Sequence, residues 1–468
     1  MRDRLPTTPP TGPVGPDLPV EPLSHSLKQR HLTMLGLGGV IGAGLFVGSG
    51  AGIGIAGPAI ICSYLLAGAL AMLVMRALGE MSAAMPASGS FSVYAERALG
   101  RWAGFSAGWL YWFLLVVVLA VEATGAAKIA NGWLPAVDQW VWVLIFMVVF
   151  TVSNLAAVKN FGEFEFWFAA LKVGAIVLFL VLGTLAVFGL LPDTDPVGMA
   201  NLTGHGGFFP EGFGGVVAGM LAVIFAFGGL EVVTIAAAES DDPAKSVARA
   251  VRSAVWRILF FYVGSMLVIV TLLPWDSLEP GQSPYVAVLD SIGIPAAGQI
   301  MNIVVFVALL SALNANLYGS SRMVFSLAER GEAPGALLKV SGGGVPRRAV
   351  FASVAFGFVS VVLNLLWPDT VFLYMLNAVG AVLLFVWALI AVSQLRLRRT
   401  LERDMPERLT LRMWCFPYLT WTALLGMAAV LVLMLFDDSA RPQLLWSAGA
   451  AAAVLVVAWV REIRAPKA

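Results

Sequence analysis

The chain has 468 residues, of which 59% are hydrophobic and 12% are charged, and its 29 Lys and Arg nearly balance its 28 Asp and Glu. This composition excludes an ordinary water-soluble protein, in which about a quarter of the residues are charged. The net charge of +1 gives no support for nucleic-acid binding. The composition therefore indicates a protein embedded in a lipid bilayer.

Apolar runs of roughly 20 residues, the length that crosses a bilayer as a helix, recur along the chain. Backbone polar groups in hydrocarbon need internal partners, so these runs are predicted to be helices. The short alternating segments of a membrane β-barrel are missing from the pattern. We predict an all-α integral membrane protein with twelve transmembrane helices, near residues 33–54, 58–79, 100–129, 138–158, 164–190, 212–238, 253–274, 296–326, 349–367, 370–394, 414–436 and 442–460.

The segments outside these helices predict the sidedness of the protein. Residues 1–26 contain seven prolines and no apolar run, which is typical of a disordered tail. With this tail in the cytoplasm, 26 of the 29 Lys and Arg fall on the cytoplasmic side, as the positive-inside bias requires. The polar stretch 395–413 is then predicted to be a cytoplasmic loop at the lipid headgroups. The sequence thus predicts a multi-pass membrane protein with both termini cytoplasmic.

Two of the predicted helices are interrupted by glycine at corresponding places. Predicted helix one contains the run GVIGAGLF at 39–46, and predicted helix six contains FAFGGLE at 225–231. Paired interruptions of this kind are typical of transporters that bind substrate between two broken helices. Half-helix N–H groups would then hold an anion, and unwound carbonyls would hold a cation. The candidate substrate-binding residues are Ile41, Gly42, Ala43, Gly44, Leu45, Phe225, Gly228, Gly229 and Glu231.

A few ionisable residues lie deep inside predicted helices, where charge is costly and usually functional. Lys172 lies about 12 Å into predicted helix five and could exchange a proton near neutral pH, or could serve structure alone. Glu122 lies about 13 Å from the outer end of predicted helix three and is either a proton site or a partner of a neighbouring helix. Glu231 follows the second interruption and could bind substrate, carry a proton or satisfy freed backbone groups.

Polar residues on predicted helix eight are candidates for lining the path. Ser311 and Asn314 could face the substrate, while hydrogen bonding between helices is the alternative role. The motif of a phosphate-binding loop does not occur, so an ATP-driven pump is not indicated. No nucleophile pairs with a base, and His25, His31 and His205 are scattered. We therefore expect no enzyme activity, no cofactor and no metal site.

Several blocks in order resemble the bacterial amino acid permeases of the amino acid–polyamine–organocation superfamily. They are LKQRHLTMLGLGGVIGAGLFVGSG (27–50), MRALGEM (75–81), GSFSVYAERALGRWAGFSAGWLYWF (89–113), VKNFGEFEFWFAALKV (158–173), AAAESDDPAKSVARAVRSAVWRI (236–258) and NANLYGSSRMVFSLAERGEAP (314–334). Within that family, FGEFEFWFA, AAAESDDP and LRMWCFPYLTW (411–421) look most like permeases of γ-aminobutyrate.

The resemblance implies a leucine-transporter-type fold within a single domain over 27–468. Repeat one would span about 33–190 and an inverted repeat two about 212–394, with helices eleven and twelve at about 414–460. The first interruption would hold the substrate carboxylate, and the second would hold the amino group with Phe225 as an aromatic lid. Lys172 matches a lysine that replaces a sodium ion in some proton-coupled relatives. Ala43 stands where many relatives have Thr or Ser, so a hydroxyl contact is lost.

The residues and the resemblance together predict a secondary transporter of a bacterial inner membrane that imports γ-aminobutyrate or a related zwitterionic amino acid with protons. Lys172 and Glu122 are the predicted proton-coupling residues, and the expected partners are the amino acid, protons and membrane lipids. A permease for neutral, aromatic or proline α-amino acids and an amino acid exchanger are alternatives. A membrane sensor that binds without transport is an alternative of another class. The oligomeric state stays open.

Overall fold

A computed structural model describes residues 41–85, 90–156, 161–192, 194–231, 243–278, 281–341, 345–436, 438 and 441–464. The predicted tail at 1–26 and the first part of predicted helix one lie outside the described residues. All regular secondary structure within these ranges is helical. The prediction of an all-α protein is therefore confirmed over the described part of the chain.

The first half of the chain forms seven helices. They are α1 (Ala43–Phe46), α2 (Gly48–Ala56), α3 (Ile60–Ala84), α4 (Ser90–Leu99), α5 (Arg101–Trp133), α6 (Gln139–Ala156) and α7 (Phe161–Val187). A short 3₁₀ turn at Gly57–Ala59 joins α2 to α3, and Gly57 there has a φ of 60°, which favours glycine.

The second half continues with ten more described helices. They are α8 (Ala200–Thr203), α9 (Gly212–Ile224), α10 (Pro243–Arg257), α11 (Gly264–Leu272), α12 (Pro284–Ser291), α13 (Ala297–Glu329), α14 (Arg347–Leu366), α15 (Val371–Asp404), α16 (Tyr418–Phe436) and α17 (Arg441–Arg464). A 3₁₀ turn at Phe225–Phe227 follows α9, and a π-helical turn at Ile258–Val263 joins α10 to α11.

Eight helical spans in the described residues are long and apolar enough to cross a membrane. Shorter apolar helices lie at Gln139–Leu155, Gly212–Phe227 and Phe260–Leu272. Large apolar side chains such as Val152, Leu178 and Phe356 are more than half exposed on these helices. Apolar side chains turned outward on such helices fit contact with lipid. The structure is that of a multi-pass membrane protein.

The centre of the bundle is α5, whose span is the most buried of the eight. It packs against α4, α6, α13, α14, α15 and α17. Small residues allow these close approaches: a Cβ added at Gly108 would lie 2.6 Å from Leu327 on α13, and one at Gly125 would lie 3.3 Å from Leu309. Through this packing α5 places Glu122 in the middle of the molecule.

Two boundaries differ from the hydropathy pattern. The helix α15 continues to Asp404, so the prediction of a loop is wrong for 395–404. Leu397 and Leu401, four residues apart, are buried on one side of this extension, and packing of that apolar stripe maintains the helix. Similarly, α10 begins at Pro243, ten residues before the apolar run, with Lys245 and Arg249 exposed. Hydropathy identifies the apolar part of a helix and misses its polar extensions.

Candidate substrate site and buried charge cluster

The first interruption leaves a free helix start deep in the bundle. Gly42 precedes α1, and residues from Ile41 to Leu45 are all buried. The Ala43 N–H donates to both carboxylate oxygens of Glu122 on α5, at 3.1 Å each. A charged acceptor on a backbone N–H is a strong hydrogen bond. The N–H group predicted to hold the substrate carboxylate is thus occupied here by a carboxylate of the protein.

The size of residue 42 determines whether Glu122 can reach this position. A Cβ atom at Gly42 would collide with the Glu122 Oε1 atom and would lie 3.2 Å from Ala312. Glu122 itself is 3% exposed, so its carboxylate has no direct access to solvent. Gly42 is therefore needed for close approach of this side chain to the backbone.

The second interruption is built around two glycines. The 3₁₀ turn ends at Phe227, Gly228 is extended, and Gly229 has a φ of 90°, which side chains with a Cβ rarely adopt. The Gly229 N–H donates to Glu231 Oε1 at 3.2 Å. Glu231 is completely buried, and the Tyr111 hydroxyl and the Trp387 indole N–H face its carboxylate. A buried carboxylate surrounded by donors can accept an ammonium group.

The two interruptions are in direct contact. A Cβ at Gly44 would lie 2.6 Å from a Phe225 ring carbon and 2.7 Å from the Ala226 Cα atom. Tyr262 lies in the π-helical turn before α11, and its hydroxyl donates to the Ala226 carbonyl at 2.8 Å. This hydrogen bond helps to fix the backbone of the second interruption. Phe225 is 6% exposed at this contact. The structure thus brings together the two sets of residues that the sequence places about 180 positions apart.

Lys172 joins this site to a second buried acid. It lies on α7, is 1% exposed, and interacts electrostatically with both Glu165 and Glu122. Glu165, also 1% exposed, accepts a hydrogen bond from the Ser311 hydroxyl at 3.0 Å. The predicted pair Lys172 and Glu122 therefore belongs to one cluster with Glu165.

Helix α13 closes the other side of this cluster. Ser311 and Asn314, three residues apart, share one helix face, and the Asn314 amide also lies close to the Glu165 carboxylate. Asn154 on α6 donates its side-chain N–H to the Asn314 Oδ1 atom at 2.9 Å. Both residues therefore form hydrogen bonds between helices, and their role in lining the substrate path stays a prediction.

Sequence reasoning missed Glu165, Tyr111 and Trp387. A signal for Glu165 exists, because it precedes Lys172 by seven residues and so lies on the same helix face. For Tyr111 and Trp387 the chain offers no such signal, since both come from helices remote in sequence from Glu231. Only the packing of α5 and α15 around the second interruption identifies them.

A separate buried charge network connects α3 to α15. Glu80 is completely buried and accepts hydrogen bonds from Gln394 at 2.7 Å, from the Met413 N–H at 2.6 Å and from the Arg398 guanidinium. Arg398 also bonds Glu402 at 2.8 Å. With its charge paired and its oxygens satisfied, Glu80 holds helix ends together and lies outside the substrate cluster.

Comparisons with known proteins find permeases and transport proteins of amino acids. A family model described as amino acid permease matches residues 31–463. A γ-aminobutyric acid permease of Bacillus subtilis (strain 168) is 52% identical over 423 residues, 90% of each chain. An aromatic amino acid transport protein of Corynebacterium glutamicum is 50% identical, covering 90% of this chain and 92% of that protein. A probable γ-aminobutyrate permease of Pseudomonas aeruginosa is 49% identical, covering 90% and 88%.

Proposed function

This chain belongs to the amino acid permease family, and we propose that it imports γ-aminobutyrate or a related zwitterionic amino acid by proton symport. The observation that carries this proposal is the contact between the two interruptions, with Glu122 at the Ala43 N–H and Glu231 at the Gly229 N–H. A site with separate places for a carboxylate and an ammonium group suits a zwitterion, since little net charge is buried.

The proposed architecture is twelve transmembrane helices with a 5+5 inverted repeat, plus helices eleven and twelve. Eight long spans and three shorter apolar helices support it, and the span Gly48–Ala84 contains the turn at Gly57–Ala59, which would separate two crossings. The charge asymmetry supports cytoplasmic termini, and the bacterial sources of the relatives support an inner-membrane location. In this arrangement, a single domain over 27–468 holds the substrate between its two repeats.

We place the substrate carboxylate at the Ala43 N–H, where the Glu122 carboxylate lies in the described state. The two carboxylates would compete for this donor. A protonated Glu122 accepts a backbone hydrogen bond more weakly than an ionised one, so a proton on Glu122 would free the site. Proton binding and substrate binding would then favour each other, as symport requires. Lys172, which faces Glu122, would exchange that proton.

The amino group of the substrate is placed at the second interruption. Glu231, together with the backbone carbonyls freed near Gly228, would receive the ammonium, while Phe225 would cover the substrate. The choice of γ-aminobutyrate rests on the names of the relatives from Bacillus subtilis and Pseudomonas aeruginosa. The relative from Corynebacterium glutamicum supports a second candidate, an aromatic amino acid as substrate. Neutral or proline substrates and exchange without protons are further alternatives.

Uptake by purified protein in proteoliposomes tests the proposal. Labelled γ-aminobutyrate should accumulate when the outside is acidic and should be displaced by unlabelled γ-aminobutyrate more effectively than by alanine, proline or phenylalanine. Simple alkylamines should compete poorly, because the Ala43 N–H would lose its anionic partner. Tighter competition by phenylalanine or proline would reject γ-aminobutyrate as the substrate. Equal uptake with and without the pH gradient would reject symport in favour of exchange, and binding without counterflow would indicate a sensor.

A further inference from the structure

We propose that Glu165 receives the coupling proton from Lys172 and releases it towards the cytoplasm. This inference rests on the proton symport proposed above and extends it by naming the exit group. It assigns separate tasks to two buried acids. Glu122 on α5 lies at the substrate site, and Glu165 lies near the N-terminal end of α7. Lys172, also on α7, interacts with both acids.

The geometry of α7 supports a transfer between Lys172 and Glu165. The two residues are seven positions apart, which is about 10.5 Å along the axis and within about 20° of the same helix face. Side chains on a helix lean towards its N-terminus, so the long Lys172 side chain points towards Glu165. Glu165 is only the fifth residue of α7, so it lies near the helix end that we place at the cytoplasm.

The charges of the cluster favour one bound proton. If Glu165, Lys172 and Glu122 are all ionised, the cluster carries one uncompensated negative charge in the membrane interior. That state is costly, and one bound proton removes the charge. Both carboxylates interact with the same ammonium. Lys172, Glu165 and Glu122 therefore share this proton, which can move from one of them to another.

The surroundings of Glu165 hold it in position without neutralising it. On α13, the Ser311 hydroxyl donates to its Oε2 atom at 3.0 Å, and Asn314, which is fixed by Asn154, also contacts the carboxylate. These neighbours are uncharged, and the ionisable groups that face Glu165 among the described residues are Lys172 and, through it, Glu122. The Oε1 atom has no hydrogen-bond partner in the described part of the chain. It can therefore take up a proton.

The proposed step is a simple proton transfer. One N–H bond of the Lys172 ammonium breaks and an O–H bond forms at Glu165 Oε1, which leaves a neutral amine and a neutral acid. Glu165 then gives this proton to water on the cytoplasmic side. The Lys172 amine is reprotonated from Glu122 in the next cycle, so one proton crosses for each turnover and no electrons are transferred.

Glu165→Gln in proteoliposomes tests this role with two separate measurements. Accumulation driven by an acidic exterior should fall at least about tenfold, because the exit acceptor is lost. Counterflow of γ-aminobutyrate at equal pH on both sides should stay near the parent rate, since it needs no net proton release. Glu163→Gln is the matched control: it removes a partly buried carboxylate two residues away, on a different face of α7, and both measurements should match the parent.

The outcomes separate this inference from the proposal on which it rests. Parent-like accumulation by Glu165→Gln would overturn the role of Glu165 and leave symport intact. Loss of both counterflow and accumulation would assign Glu165 a structural role and would also overturn the inference. Failure of the parent itself to accumulate substrate under a pH gradient would overturn symport and the proton route together. Glu165→Asp should restore part of the accumulation, because a carboxylate is again present near Lys172.

Discussion

The two interruptions satisfy their free backbone N–H groups in different ways. At the first, the acceptor is Glu122, which comes from another helix 79 residues away in sequence. At the second, the acceptor is Glu231, which follows Gly229 by two residues in the same segment. The first carboxylate faces Lys172, whereas Tyr111 and Trp387 face the second.

This difference indicates a division of tasks. An acceptor from another helix can withdraw when the substrate or a proton arrives, and its partner Lys172 can exchange a proton with it. A local acceptor stays attached to the segment that it stabilises and presents a fixed charge to the substrate. The first interruption is therefore expected to control coupling, and the second to control affinity. Substitutions at four positions examine this contrast.

The largest effect is expected at Lys172. Lys172→Ala should reduce accumulation driven by a pH gradient by about a hundredfold, because the group that exchanges the proton is removed. Lys172→Arg should fail as well, since a guanidinium does not release a proton near neutral pH. Uptake by both variants is compared with that of Lys245→Ala, which removes an exposed lysine on α10. Parent-like accumulation by Lys172→Ala would contradict the role in coupling.

A second substitution targets the acceptor of the first interruption. Glu122→Gln keeps the size of the side chain but cannot carry the proton or the charge. We expect accumulation to fall roughly thirtyfold, because the group that takes up the coupling proton is lost. Counterflow should persist, and uptake should lose most of its dependence on external pH. If uptake keeps the pH profile of the parent, the first interruption does not control coupling.

The acceptor of the second interruption should behave in the opposite way. Glu231→Gln removes the fixed charge near the proposed ammonium position, so the KM for γ-aminobutyrate should rise about tenfold. The pH profile of uptake should stay that of the parent, because Lys172 and Glu122 are unchanged. A changed pH profile with an unchanged KM would reverse the division of tasks between the two segments.

The smallest effect is expected where the two interruptions touch. Gly44→Val would drive a side chain into Phe225 and the Ala226 backbone, so substrate affinity should fall about fivefold, roughly 1 kcal/mol, because these atoms would be forced apart. Gly54→Val is the matched control, because a Cβ at Gly54 on α2 meets open space. Both are compared by competition binding. Equal affinity in the two variants would show that contact between the segments is not needed for binding.

Much of the architecture could be read from the chain alone. In lipid, each helix must satisfy its own backbone hydrogen bonds, so long apolar runs are helical whatever their neighbours are. Glycine runs at 39–46 and 225–231 also pointed to both interruptions. Gly229 has a φ that favours glycine, and Gly42 leaves room for the Glu122 side chain. The polar extension of α15 to Asp404 escaped this reasoning, since it is maintained by burial of Leu397, Arg398 and Leu401 against other helices.

The sequence by itself determined that this permease is helical and membrane-embedded, with a few ionisable residues such as Lys172, Glu122 and Glu231 deep within its apolar runs. Only the tertiary structure decided which of these groups meet. It placed Glu122 on the Ala43 N–H, Glu165 beside Lys172, and Tyr111 and Trp387 around Glu231. The reason is physical: helix formation depends on local hydrogen bonds, whereas the meeting of side chains depends on how helices far apart in sequence pack.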